Sequence, residues 1–189
     1  MKIEKNGLLQ SLPLAAGDLR IRRWTRQDVD RRAAWPKYPK PYAAFNGTLH
    51  RLSPSERDEY FKIRDEDVDR ITLAVEHITA ATIGHVVLKD IDWARVIVGN
   101  MGVRVHPCWC DRGIGTTMLA AVVGWLADHG VTRIALDVAA ANARALRCYG
   151  KVGFVQSKGF DRDGVPFVWM EWKPRRRATA ASSRVPRRE

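Results

Sequence analysis

A chain of 189 residues with 46% apolar and 28% charged residues suits one soluble domain with a buried core, not a disordered or fibrous polypeptide. No run approaches the roughly 18 apolar residues of a membrane span, and three cysteines without a framework exclude a disulfide-stapled secreted scaffold. The net charge of +11 calls for an anionic partner: nucleic acid, a membrane surface or a polyphosphorylated cofactor.

At the N-terminus, Glu4, Asn6, Gln10 and Ser11 interrupt the apolar residues, so no secretory core forms and a cytoplasmic location is expected. Residues 19–25, LRIRRWT, alternate as a first strand, and RQDVDRRAAW continues with helical character. Pro36, Pro39, Pro41 and Asn46-Gly47 then forbid a long regular element over 36–47. Ser53, Pro54 and Glu56 form a capping-box start for a helix over 53–67. Three strand-like runs follow at 70–77, 82–90 and 100–107, the first two as a hairpin. Residues 116–130 read as a helix stopped by Gly130, and 133–138 as a buried strand. A second helix over 142–153 has Asn142 as its cap and Gly153 past its end. A hairpin around DRDG closes the domain. The result is a mixed α/β (α+β) sheet, mostly antiparallel, with one crossover in a β-loop-α-β-α core. Residues 1–173 form a single domain. Residues 174–189 form a basic tail, expected to be flexible, whose six arginines and one glutamate carry +5 of the charge.

The stretch HPCWCDRGIGTTML, residues 106–119, carries the chemistry. Gly113 and Gly115 lie where a strand hands over to a helix, so backbone N–H groups can approach an anion without side chains in the way. The helix dipole and Arg112 add positive character. A P-loop would need a lysine after Gly115, which is absent. A dinucleotide fingerprint is matched only in part by Gly113, Gly115 and Asp137: Met118 stands where its third glycine belongs, and seven residues separate Val105 from Gly113, so the turn is too long. His106, Cys108 and Cys110 are too closely spaced for a metal cluster and have no second pair, so no metal is expected.

The strand GVRVHP followed by CDRGIGT resembles motif A of the GCN5-related N-acetyltransferases, the GNAT family. Asn142, Ala145, Tyr149, Gly153 and Phe154, within NARALRCYGKVGF, match the family's second motif at its spacing. IGHVVL at 83–88 is similar to the family's third strand. The resemblance covers about residues 18–173 and is nearest to the ribosomal-protein N-terminal acetyltransferase-like branch. Cys110 departs from the pattern, which has Gln or Arg there, and Asp111 places a carboxylate beside the expected pyrophosphate.

The resemblance implies the GNAT acyl-CoA N-acyltransferase fold and direct transfer of an acetyl group from acetyl-CoA to a primary amine, on a small molecule or a protein N-terminus. It implies that backbone groups of Val103 and Val105 pair with the pantetheine arm. A backbone N–H near them would polarise the thioester. Cys110, Asp111, Arg112, Gly113, Ile114, Gly115 and Thr116 would cradle the pyrophosphate. Tyr149 would be the general acid for the leaving thiolate, and Asn142 would bond the cofactor, cap the helix, or do both. Cys148 is read as a core residue. No carboxylate stands on Val98–Val105, where many members carry a glutamate, so the general base is unassigned; Glu76 and His85 on neighbouring strands are read as structural. Residues 33–62, with Trp35, Tyr38, Tyr42 and Phe45, and residues 158–167 would form the acceptor side. Two other readings stay open. One is a GNAT-fold protein that senses acyl-CoA or docks on nucleic acid or the ribosome without turnover, through the tail. The other is an NAD-binding oxidoreductase. The expected partners are acetyl-CoA and an amine, with a homodimer as the assembly and no membrane.

Overall fold

The computed structural model describes residues 4–47 and 49–174. The arginines of the basic tail begin at Arg175, so the nucleic-acid and ribosome expectation lies outside the described residues.

Among the described residues, five α-helices and eight strands follow one another along the chain. They are α1 (Lys5–Gln10), β1 (Leu14–Ala16), β2 (Leu19–Arg23), α2 (Arg26–Ala33), α3 (Pro54–Glu66), β3 (Ile71–His77), β4 (Ala80–Asp92), β5 (Ile97–Val105), α4 (Ile114–Asp128), β6 (Arg133–Ala139), α5 (Ala143–Val152), β7 (Val155–Arg162) and β8 (Val165–Trp172). The strands form one sheet in the order β1-β2-β3-β4-β5-β6-β8-β7. Every neighbouring pair is antiparallel except β5–β6, which is parallel and needs α4 as its crossover.

Local chemistry explains most boundaries. The Ser53 hydroxyl accepts the Glu56 amide and the Glu56 carboxylate accepts the Ser53 amide, with Pro54 preset for the first turn of α3. Asp28 performs the same service for Thr25 at the start of α2. Gly153, at φ 98°, ends α5 in the left-handed region. The sequence reading missed α1 and β1: they are short, and their signal is tertiary. Leu8 is buried in the main core, and the Trp125 indole donates to the Ser11 hydroxyl at 2.7 Å. The strands at 82–90 and 100–107 are displaced from expectation, running over 80–92 and 97–105, and α4 begins two residues early, at Ile114.

The two faces of the sheet bury different layers. On one, Val86, Leu88 and Met101 pack with Met118, Leu119, Val122 and Leu126 of α4. On the other, Ala74 of β3 packs with Trp24, Val29, Ala33 and Leu49, under α2 and α3. No described helix is long and apolar enough to cross a membrane.

The sheet forks in its middle. β5 pairs with β6 at only two positions, Ile97↔Arg133 and Val98↔Ile134. At the next residue, Gly99, the β4–β5 ladder also lapses: Asp90 opposite it has φ 52°, and a Cβ at 99 would stand 2.7 Å from the Asp90 carbonyl oxygen. Only glycine fits that approach. Beyond it, β5 stays with β4 and leaves β6, so a cleft opens between two strands that are neighbours at their base.

Candidate active site

The fork leads into a cleft of about 300 Å³ between the C-terminal half of β5, the loop before α4, and α5. Most of the residues singled out in the sequence meet here. Val103, Val105, Cys110, Asp111, Gly113, Gly115, Thr116, Asn142 and Tyr149 all line it. Two do not: Ile114 packs against the main core, and Arg112 lies over the Trp109 ring at 5.3 Å.

The loop is an array of unused donors. Gly113, at φ 79°, caps α4, and its carbonyl accepts the Thr116 and Thr117 amides, each at 3.0 Å. The five preceding amides, Asp111 through Gly115, have no acceptor among the described residues. Consecutive free N–H groups at a helix N-terminus form an anion-binding concavity. A Cβ at Gly115 would reach 3.4 Å from the Cys148 sulfur and 3.7 Å from Val105 Cγ2, so glycine keeps the floor open.

Both departures from the motif find local compensation. The Asp111 carboxylate accepts from Arg144 at 3.2 Å, and the same guanidinium lies 3.8 Å above the Tyr42 ring. The Cys110 thiol donates to the Val105 and His106 carbonyls at 3.7 and 3.6 Å, tying the loop to the end of β5. Burial pushes that thiol up, so it stays neutral. His106 accepts the Cys108 amide at 3.1 Å through Nδ1 and shapes the turn.

The sequence reading missed the charge of α5. Arg144, Arg147 and Lys151 line the cleft beside Asp111, its one carboxylate. Their spacing of three and four residues puts them on one helical face, a signal that was legible in NARALRCYGKVG.

Tyr149 is 7% exposed and faces the cleft from α5, its ring 5.8 Å from Phe154. Burial pushes its phenol well up, so it holds its proton across the physiological range. Asn142 caps α5 by accepting the Ala145 amide at 3.3 Å while lining the cleft, so capping and cofactor contact are compatible. Cys148 both packs against the core and lines the cleft. Its sulfur is 3.6 Å from the Thr116 hydroxyl, and burial raises its pKa, the opposite of an activated nucleophile.

Tyr38 donates its hydroxyl to the Val105 carbonyl at 2.6 Å. That carbonyl is thus already engaged on the strand expected to receive an extended arm. Burial raises the Tyr38 phenol to about 12. Glu76 is bound by Arg22 at 2.7 Å and Arg20 at 3.3 Å, and His85 is fully buried; neither lines the cleft.

Comparison with known proteins agrees with this geometry. A family model described as an acetyltransferase (GNAT) domain matches residues 18–155. A mycothiol acetyltransferase from Acidimicrobium ferrooxidans is 40% identical over 67 residues, covering 35% of this chain and 20% of that one, so the match spans only a fifth of that relative. Spermidine N-acetyltransferase from Vibrio cholerae, solved with CoA and spermine, superposes with a TM-score of 0.70 at 20% identity, over 82% of this chain and 95% of that one. Aminoglycoside acetyltransferase AAC(6')-Ib, solved with coenzyme A, gives 0.64 at 20% identity, over 82% and 94%. At these identities the two structures speak for the fold.

Proposed function

The chain belongs to the acetyltransferase (GNAT) domain family, and on that premise we propose that it is an acetyl-CoA-dependent N-acetyltransferase whose reaction runs in the β5–β6 fork. One observation carries the reading. Within the acceptor-free run Asp111 to Gly115, the residues Asp111, Gly113 and Gly115 line the same cleft as a buried, protonated Tyr149.

In this reading the amides hold the CoA pyrophosphate at the N-terminus of α4. Arg144, Arg147 and Lys151 neutralise its remaining phosphate charge. The pantetheine arm runs along the open edge of β5 at Val103 and Val105, sharing the latter with Tyr38. The acceptor amine, neutral, attacks the thioester carbonyl carbon, and the new C–N bond forms as the C–S bond breaks. A β5 amide stabilises the developing oxyanion, an effect of about 3–4 kcal/mol for one donor in other enzymes. Tyr149 supplies the proton that the CoA thiolate takes. The proton that the attacking nitrogen sheds as the amide forms leaves to solvent, and solvent returns one to the Tyr149 phenolate.

The acceptor is a primary amine, and its finer class belongs to this proposal. Small molecules stand first, because the similar proteins named above are a mycothiol, a spermidine and an aminoglycoside acetyltransferase, and none of the three is a ribosomal-protein enzyme. A protein N-terminus is the second class to screen. The test is release of free CoA thiol from acetyl-CoA on adding amines. Amine-dependent release supports the reading; tight acetyl-CoA binding with no transfer to any small amine or peptide N-terminus favours a non-catalytic acyl-CoA sensor.

A further inference from the structure

The face of the sheet opposite α4 carries positive charge that the fold does not neutralise. His85 on β4 stands directly across from Arg104 on β5. His85 is 1% exposed, and neither of its ring nitrogens has a hydrogen-bond partner; nor does the buried Arg104 Nε. Trp24 and Trp35 flank the imidazole at 5.2 and 6.1 Å. Arg32 of α2, also buried, spends its donors on neutral oxygens, the Tyr60 hydroxyl and the Gly47 carbonyl, each at 3.1 Å. Among the described residues no carboxylate pairs with Arg32 or Arg104.

Elsewhere on this same face the fold does provide acids. Arg22 has both Asp28 and Glu76 at 2.7 Å. The carboxylates around the cleft are spoken for: Asp111 by Arg144, and Asp137 by Asn100 and Arg162. Arg32 is a buried guanidinium without a counterion, which is costly, and the half-buried Arg104 lines the open cleft, so the acid the fold withholds can come from outside. Arg104 lines the cleft together with Tyr38, at the end of β5 where the acceptor must approach. Burial, and then the charges of Arg32 and Arg104, hold His85 well below its ordinary pKa, so the imidazole is neutral and adds no further charge.

Building on the acetyltransferase reading, we propose that the acceptor amine carries a carboxylate or phosphate, and that Arg104, backed by Arg32, receives it. A polycation such as spermidine would meet two guanidiniums and no free acid there. The chain would then differ in acceptor charge from the polyamine enzyme whose fold it shares.

The experiment uses amines that differ only in charge: glycine and glycinamide, L-phenylalanine and its amide, O-phosphoethanolamine and ethanolamine, with spermidine as the polycation. Turnover is read with acetyl-CoA, and binding by thermal shift of the CoA-saturated protein. At least one acidic member should exceed its neutral partner about tenfold in kcat/KM or in affinity, and which pair responds separates carboxylate from phosphate. Arg104→Gln should bring that ratio close to one while acetyl-CoA KM stays within about threefold, and Arg104→Lys should restore part of it. Preference for amides, ethanolamine or spermidine overturns the proposal. So does a ratio that survives Arg104→Gln, a variant that loses acetyl-CoA affinity instead, or the absence of binding by every acid. Those results leave acetyl transfer standing. Failure of acetyl-CoA itself to bind strikes the acetyltransferase reading instead.

Discussion

Tyr149 and Asp28 show how differently two buried side chains can be used. Tyr149 was legible because the second motif fixes its spacing from Asn142 and Gly153. Its hydroxyl is the acid of the proposed reaction, and burial keeps it protonated. Tyr149→Phe is expected to lower kcat by roughly 10²-fold, with acetyl-CoA affinity unchanged within error. Equal kcat for the two proteins across pH 6–9 would remove the general-acid role. Asp28 is fully buried and accepts from Arg22, Arg31, Thr25 and Thr82. Burial opposes its charge, but the Arg22, Thr82 and Thr25 hydrogen bonds outweigh that and hold its pKa well down. A depressed folded-state pKa means stability that is complete above the unfolded value of about 3.9 and is lost as pH falls through it toward the folded value. Asp28→Asn should cost about 3–5 kcal/mol at pH 7 by leaving Arg22 without its buried partner. The gap in melting temperature between variant and wild type should narrow as pH drops below 4. A constant gap would show that Asp28 acts by packing alone. Arg104 and His85 were not legible in this way. Their partnership crosses two strands, and nothing in either local sequence announces the missing counterion.

At the level of elements, the legible parts were those with local chemistry. The capping box at Ser53 and the left-handed glycine after α5 mark helix ends within a few residues. The fork was not legible, because it depends on how two strands distant in sequence meet at Gly99. Gly99→Ala would drive a methyl group into the Asp90 backbone. It should destabilise the fold by about 1–3 kcal/mol and weaken acetyl-CoA binding through the altered path of β5; unchanged affinity would detach the Gly99 approach from the cleft. The basic face of α5 makes a separate prediction. Replacing Arg147 and Lys151 together by Gln should weaken CoA binding roughly tenfold at low salt and flatten its salt dependence. Dephospho-CoA should be affected less if the two cations meet the 3′-phosphate. Equal loss for both ligands would place them at the pyrophosphate instead.

For the whole molecule, the mixed sheet with one parallel crossover followed from element order, because a strand-loop-helix-strand run demands it. The outer hairpin followed from its turn, but the strand order, with β8 and not β7 beside β6, did not. The depth of the cleft did not follow: it comes from two residue pairs holding β5 to β6 and no more. The net charge of +11 pointed to an anionic partner, and the α5 side of the cleft, with Arg144, Arg147 and Lys151 against one acid, is a place for one. The central claim is that this cleft takes CoA. Thermal unfolding with acetyl-CoA, CoA and NAD in parallel tests it most directly. Ligand at 100 times its dissociation constant adds about 2.7 kcal/mol, which at this chain length raises the midpoint by roughly 5–10 °C. Such a rise with acetyl-CoA and CoA and none with NAD is the predicted result. No rise with either CoA species, or an equal rise with NAD, would contradict it.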